Sequence, residues 1–194
     1  MKVDFDGEKH LYSVDGKVIR LSVTGILPKP EFFCTPEELE KARQDGNDKH
    51  SMIKMYHDTG GETFDSPFLV AYDTFIRENE PVLGKFMYCE RPLYSEKDDY
   101  AGTPDLIFTK ALIDLKRTIG DKRYHALQLA GYHALAHENQ ILPPKFNRWL
   151  VLTYDGNDFR LVNVYNDKAS DVFKMLLRKR KIEINVSNYF NTTF

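Results

Sequence analysis

The stretch Gly102-Thr103-Pro104-Asp105-Leu106-Ile107-Phe108, followed by Ala111-Leu112-Ile113-Asp114-Leu115-Lys116, holds the pattern from which the rest of the chain is read. Side chains two apart on a strand share a face, so Asp114 and Lys116 point one way while Ile113 and Leu115 point the other. The apolar flanks Leu106, Ile107, Phe108, Leu112 and Ile113 predict a central strand pair. A charge there costs free energy unless it has a partner or a task.

If Asp105 comes from the neighbouring strand, two carboxylates and one ammonium converge. That set suits phosphodiester hydrolysis: oxygen ligands hold Mg²⁺ or Mn²⁺, and a lysine orients or deprotonates water or neutralises charge on the phosphorane. The plain alternative is a cross-strand surface ion pair, since alternation alone produces Asp-x-Lys often. A second pattern lies on the clearest predicted helix, residues 121–139, which opens at Asp121 with Leu127, Ala130, Ala134 and Leu135 as its apolar stripe. Gln128 and Tyr132 sit four apart on one face, a polar edge able to meet a phosphate or a base. An ordinary helix boundary would look the same.

Outward from this centre, residues 3–23 alternate around Asp6-Gly7 and Asp15-Gly16 and read as short strands joined by hairpins, an edge ribbon. Thr35, Pro36 and Glu38 make a capping box for a helix that Gly46 is expected to interrupt. A further helical stretch runs through His50, Met52, Ile53 and Tyr56 to Gly60-Gly61. Another starts at Ser66-Pro67, with Phe68, Ala71, Tyr72, Phe75 and Ile76 on one face. Residues 85–94, 100–108 and 111–116 are predicted as three adjacent strands; 148–154 and 159–165 form two more around Asp155-Gly156-Asn157. A last helix covers 167–184. The order predicts one α/β domain with a mixed sheet covered on both faces, divided into an N-terminal ribbon (1–30), a core (35–165) and a C-terminal helix and tail (167–194).

The chain has 194 residues, enough for one buried core, and its hydrophobic fraction of 42% excludes a disordered protein. A net charge of -2 excludes coating of nucleic acid by bulk attraction, leaving local basic surface or bound cations to do such work. Cys34 and Cys89 are too few for a disulfide framework, a four-cysteine zinc site or an iron-sulfur cluster, and imply a reducing cytoplasm. No signal-like or membrane-spanning apolar run is present, so no membrane partner is expected.

Taken together, Gly-Thr-Pro-Asp105, Asp114-Leu-Lys116 and Gln128-Leu-Ala-Gly-Tyr132 resemble, in order and spacing, the RecB-like branch of the PD-(D/E)XK nucleases. Gly46-Asn-Asp-Lys-His50 matches that branch's upstream Gly-x-x-x-His motif, and the likeness runs from about residue 20 to 165. It implies a restriction-endonuclease-like core and a metal-dependent deoxyribonuclease acting on DNA ends in recombination, repair or phage and mobile-element processing. It implies His50, Asp105 and Asp114 as ligands of one or two Mg²⁺ or Mn²⁺ ions, with Lys116 acting on water and Glu90 bordering the site. The chain departs from the family in three places: Asp45 stands where arginine is usual, with Arg43 nearby; Asp114 replaces the commoner glutamate; and the cluster cysteines are missing, so no iron-sulfur cluster is expected.

Arg117, Lys122 and Arg123 follow the motif strand and are candidates for phosphate contacts, and Arg178-Lys-Arg-Lys181 for extending them. His57 is expected to be solvated, and His125 to lie at the surface or touch DNA. Two rival readings remain open here: a structure-specific or nicking endonuclease, and a catalytically silent DNA-binding or assembly module. Oligomeric state is left open.

Overall fold

A computed structural model describes residues 2–7, 9, 11–29 and 35–193; Cys34 lies outside them. The N-terminal alternation forms a three-stranded antiparallel ribbon of β1 (Val3–Asp6), β2 (Leu11–Val14) and β3 (Lys17–Ile19). Asp15 and Gly16, at φ 48° and 84°, supply the two left-handed residues that a type I′ turn between β2 and β3 demands. Helix α1 (Val23–Ile26) follows, with Ser22 Oγ accepting from the Gly25 amide.

Helix α2 (Pro36–Asp58) opens on the expected capping box, Thr35 N–H donating to Glu38 and Thr35 Oγ1 accepting from the Glu38 amide. Gly46 does not interrupt it. One mid-helix glycine costs about 1 kcal/mol, and side-chain bonds bridge it on both sides, Gln44 to Asp48 and Lys49 to Asp45, each at 2.8 Å. Helix α3 (Pro67–Glu78) is capped by Ser66 and buries Leu69 and Tyr72 fully, with Phe68, Phe75 and Ile76 half-buried beside them. A single turn, α4 (Glu80–Leu83), leads into the sheet.

The runs 85–94 and 100–108 are each broken rather than single strands. They divide into β4 (Phe86–Cys89) and β5 (Leu93–Ser95), then β6 (Tyr100–Gly102) and β7 (Leu106–Phe108), before β8 (Leu112–Lys116). Pro92 and Pro104 lack the N–H that a continuous ladder needs, and Glu90 takes φ 46° at the first break. The pieces join different sheets: β5 pairs with β6, while β4, β7 and β8 enter the main sheet. The chain then forms α5 (Lys122–Glu138), β9 (Trp149–Tyr154), β10 (Phe159–Asn163) and α6 (Ala169–Thr193), the last running well past the expected end at 184.

The main sheet has the order β10-β9-β8-β7-β4, antiparallel except for the parallel pair β8 and β9 that α5 connects. Alternation sends Ile107, Leu112, Trp149 and Val151 to the side of α5 and α6, and Leu106, Phe108, Ile113, Leu115, Leu150 and Leu152 to the side of α2 and α3. The protein is thus mixed α/β, its sheet packed with helices on both faces. Helix α5 is not the amphipathic helix that its stripe predicts: it is buried almost all round from His125 to Ala136, while Leu127 and Ala134 are only half-buried. It lies between the sheet and α6, where a Cβ on Gly131 would stand 2.6 Å from the Phe173 ring. Among the described residues no helix is long and apolar enough to cross a membrane.

Candidate active site

The β7–β8 register pairs Leu106 with Ile113 and Ile107 with Leu112, so one further step sets Asp105 opposite Asp114. Pro104 ends the ladder there. The Asp105 carboxylate replaces the missing backbone partner, its Oδ2 accepting from the Leu115 amide at 2.6 Å. Asp114, fully buried, lies on the α5 side of β8 as the alternation predicts. Its Oδ1 accepts from Lys116 Nζ at 2.7 Å, and the same ammonium donates to the Leu115 carbonyl at 3.1 Å.

Helix α2 brings in His50, whose Nδ1 is 3.3 Å from Glu90 Oε1 and 3.8 Å from Asp105 Oδ1. Glu90 is held at the end of β4 by its amide, which donates to the Asp105 carbonyl at 2.8 Å. Its left-handed backbone is a strained conformation for a residue with a Cβ. His50, Glu90, Asp105, Asp114 and Lys116 are therefore brought together from α2, the end of β4, the start of β7 and β8.

The charges offset one another locally. Burial works against protonation of His50, but the Asp105 carboxylate and the Glu90 hydrogen bond outweigh it and raise the imidazole to about 9. Burial raises Asp105 to about 6, with nearby Asp114 adding to the effect and His50 opposing it. Burial would also raise Asp114, yet Lys116 and then His125 hold it below the usual carboxylate range. Lys116 is raised in spite of its burial, because Asp114 and Asp105 both favour the ammonium.

His125, expected at the surface or on DNA, is instead buried beside Asp114, its Nδ1 3.4 Å from Asp114 Oδ2. The alignment falls short of a hydrogen bond, and both atoms are buried without a hydrogen-bond partner. The signal for it is in the sequence: His125 precedes Gln128 by one helical turn, and Asp114 faces the helix that carries both.

A cleft of about 900 Å³ opens over the site, lined by His50, Glu90, Asp105, Lys116, Arg117 and Tyr132 among others. Gln128 and Tyr132 are not the exposed polar edge expected of them. Both are buried, Gln128 Nε2 donating to the Tyr132 hydroxyl at 3.3 Å, and Gln128 is not among the lining residues. Tyr132 packs toward β6, where a Cβ on Gly102 would stand 2.9 Å from its ring. Arg117, Lys122 and Arg123 are all exposed, but only Arg117 lines the cleft; Arg123 is bound by Asp121 at 2.9 Å. In the run 178–181, Lys179 and Arg180 meet Glu183 and Lys181 meets Asp98, so most of its charge is answered within the chain. His57 is not solvated: it stacks on Phe86 with ring centroids 3.7 Å apart and hydrogen-bonds the Tyr72 hydroxyl at 2.9 Å.

As the side chains stand, no group of three or more His, Cys, Asp and Glu among the described residues is arranged to hold a metal ion. Lys116 occupies one oxygen of Asp114, and the His50 imidazole lies against Glu90 and Asp105. Comparison of the chain with protein-family models and with curated proteins found no match.

Proposed function

We propose that the protein is a divalent-metal-dependent DNA nuclease with a PD-(D/E)XK restriction-endonuclease-like core, hydrolysing phosphodiester bonds from DNA ends. One observation carries the reading: His50, Asp105 and Lys116, drawn from distant parts of the chain, line one cleft, and the fully buried Asp114 lies directly behind them, bound to Lys116 Nζ at 2.7 Å. A charge cluster this deep costs too much to be an incidental surface pair.

His50, Asp105 and Asp114 would hold Mg²⁺ or Mn²⁺. Their chemistry fits: Asp114 Oδ2 is a buried carboxylate oxygen without a hydrogen-bond partner, and Asp105 Oδ1 faces His50. A bound divalent ion supplies polarisation of the phosphate and an acidified water. For His50 to act as a ligand it must give up the proton that its carboxylate neighbours favour, so occupancy is coupled to proton release. Lys116, kept as an ammonium by Asp114 and Asp105, orients water and neutralises phosphorane charge instead of serving as the base. Arg117, exposed on the rim, is positioned to meet the adjoining phosphate.

The test uses end-labelled linear DNA and covalently closed circular DNA, each with Mg²⁺, Mn²⁺ or chelator, comparing the parent chain with Lys116→Ala and Asp114→Asn. The expected result is degradation of linear DNA only with metal, intact circles, and a loss of roughly 10²-fold or more in each variant. Cutting of the circle would move the assignment to a nicking or structure-specific endonuclease. DNA binding without cleavage in any metal, unchanged by Asp114→Asn, would replace the nuclease with a silent DNA-binding module.

A further inference from the structure

Helix α6 has two apolar faces. One buries Phe173 and Leu177 in the core, with Leu176 and Ile184 half-buried beside them. The other carries Val172, Met175, Ile182, Val186 and Tyr189, which are 40%, 67%, 63%, 48% and 65% exposed. With Lys179 included, these positions alternate by three and four residues, the period of a coiled-coil seam. Scattered exposed apolar residues are ordinary; a stripe in register over about 26 Å of helix marks an interaction surface.

We propose that this stripe pairs with the same stripe of a second copy of the chain, the two helices lying antiparallel. The positions are self-complementary about the midpoint between Arg180 and Lys181. Met175 falls opposite Val186 of the second copy, Lys179 opposite Ile182, and Val172 opposite Tyr189, so a single two-fold axis satisfies every layer.

The charges decide the direction. A parallel pair would place Lys179 on Lys179, burying two ammonium groups together. Its rim contact between the exposed Arg178 and Glu183 does little to offset that burial. In the antiparallel pair the Lys179 stem covers Ile182, and its ammonium, 3.8 Å from Glu183 on its own helix, reaches the rim. The flanks then set Arg178 against Asn185 and Glu183 against Leu176, with no like charges opposed. The helix dipoles also oppose each other favourably.

Sedimentation velocity across a concentration series tests the pairing. The mass is expected to rise from 22.6 kDa toward twice that value in the micromolar range. Met175→Glu and Ile182→Glu should keep it at the monomer with unchanged circular dichroism, because both side chains are exposed. Lys179→Leu should lower the concentration at half-dimer by at least tenfold. Direction is read by oxidising Met175→Cys and Val186→Cys chains beside the parent, which controls for Cys34 and Cys89. Antiparallel pairing cross-links the mixture of the two variants but neither alone. A monomer at every concentration, a dimer that survives Ile182→Glu, or self-linking of either single variant would overturn the proposal.

Discussion

Asp105 Oδ2 lies 2.6 Å from the amide nitrogen of Leu115, the residue between Asp114 and Lys116. One carboxylate is thereby anchored to the backbone that carries the other carboxylate and the lysine. The bond is charge-assisted and part-buried, and it fixes the separation of the groups on which the proposed chemistry depends.

Asp105→Asn keeps an oxygen for that amide but removes the charge facing His50. Cleavage is expected to fall by roughly 10²-fold or more with little change in thermal stability. Asp105→Ala, which also strands the Leu115 N–H, should cost about 1–3 kcal/mol besides. Single-turnover rates and thermal unfolding of the two variants check the separation. Full activity in Asp105→Asn would remove Asp105 from the site.

His125 Nδ1 stands 3.4 Å from Asp114 Oδ2, the carboxylate oxygen that Lys116 does not hold. His125→Ala is expected to raise the Mg²⁺ or Mn²⁺ concentration needed for half-maximal cleavage by about 10- to 100-fold, the usual effect of losing a group that orients a ligand. His125→Gln, which retains a donor, should lose less. Metal titrations of cleavage rate measure both, and an unchanged requirement in His125→Ala would leave the histidine with packing alone.

His57 gives a pH signature in stability rather than in catalysis. Burial against Phe86 lowers its pKa from 6.5 to about 4, with Asp58 only partly opposing the effect. Between those values the unfolded chain binds a proton that the folded chain refuses. Stability from this group is therefore complete above about pH 6.5 and is lost as the pH falls toward 4. Allowing for its partial exposure, the loss is about 1–2 kcal/mol. Chemical denaturation at pH 7, 5.5 and 4.5 should show this decline in the parent chain relative to His57→Phe; parallel curves would contradict it.

Two helical glycines should respond oppositely to alanine. A Cβ at Gly46 meets nothing within 4 Å, so Gly46→Ala should stabilise by about 0.5–1 kcal/mol through helix propensity. A Cβ at Gly131 would come within 2.6 Å of the buried Phe173 ring and 2.9 Å of Val23, and Gly131→Ala should destabilise by about 1–3 kcal/mol. Denaturant midpoints measure both, and a stabilised Gly131→Ala would mean that α6 sits more loosely on α5 than described.

Much of this protein is written in local pattern. Strand alternation is enough to put Asp114 and Lys116 on one face, and Thr35-Pro36-x-Glu38 is enough to start α2, because both depend on neighbours a few residues away. His50 is joined to Asp105 and Asp114 only through the resemblance of Gly46-x-x-x-His50 to a family motif, since nothing local says that the three stand near one another.

What only tertiary packing decided concerns surroundings. Gln128 and Tyr132 look like a solvent edge in sequence, yet both are buried and hydrogen-bonded to each other; His125 looks exposed, yet its Nδ1 lies 3.4 Å from Asp114 Oδ2. His57 found Phe86 and Tyr72, partners from other elements. The divided strands follow the same rule, since Pro92 and Pro104 mark where a ladder stops but not which sheet each piece will join. Periodicity records which side of an element a residue occupies; whether that side meets water, another chain segment or a charge is set by long-range contacts that no window of neighbouring residues contains.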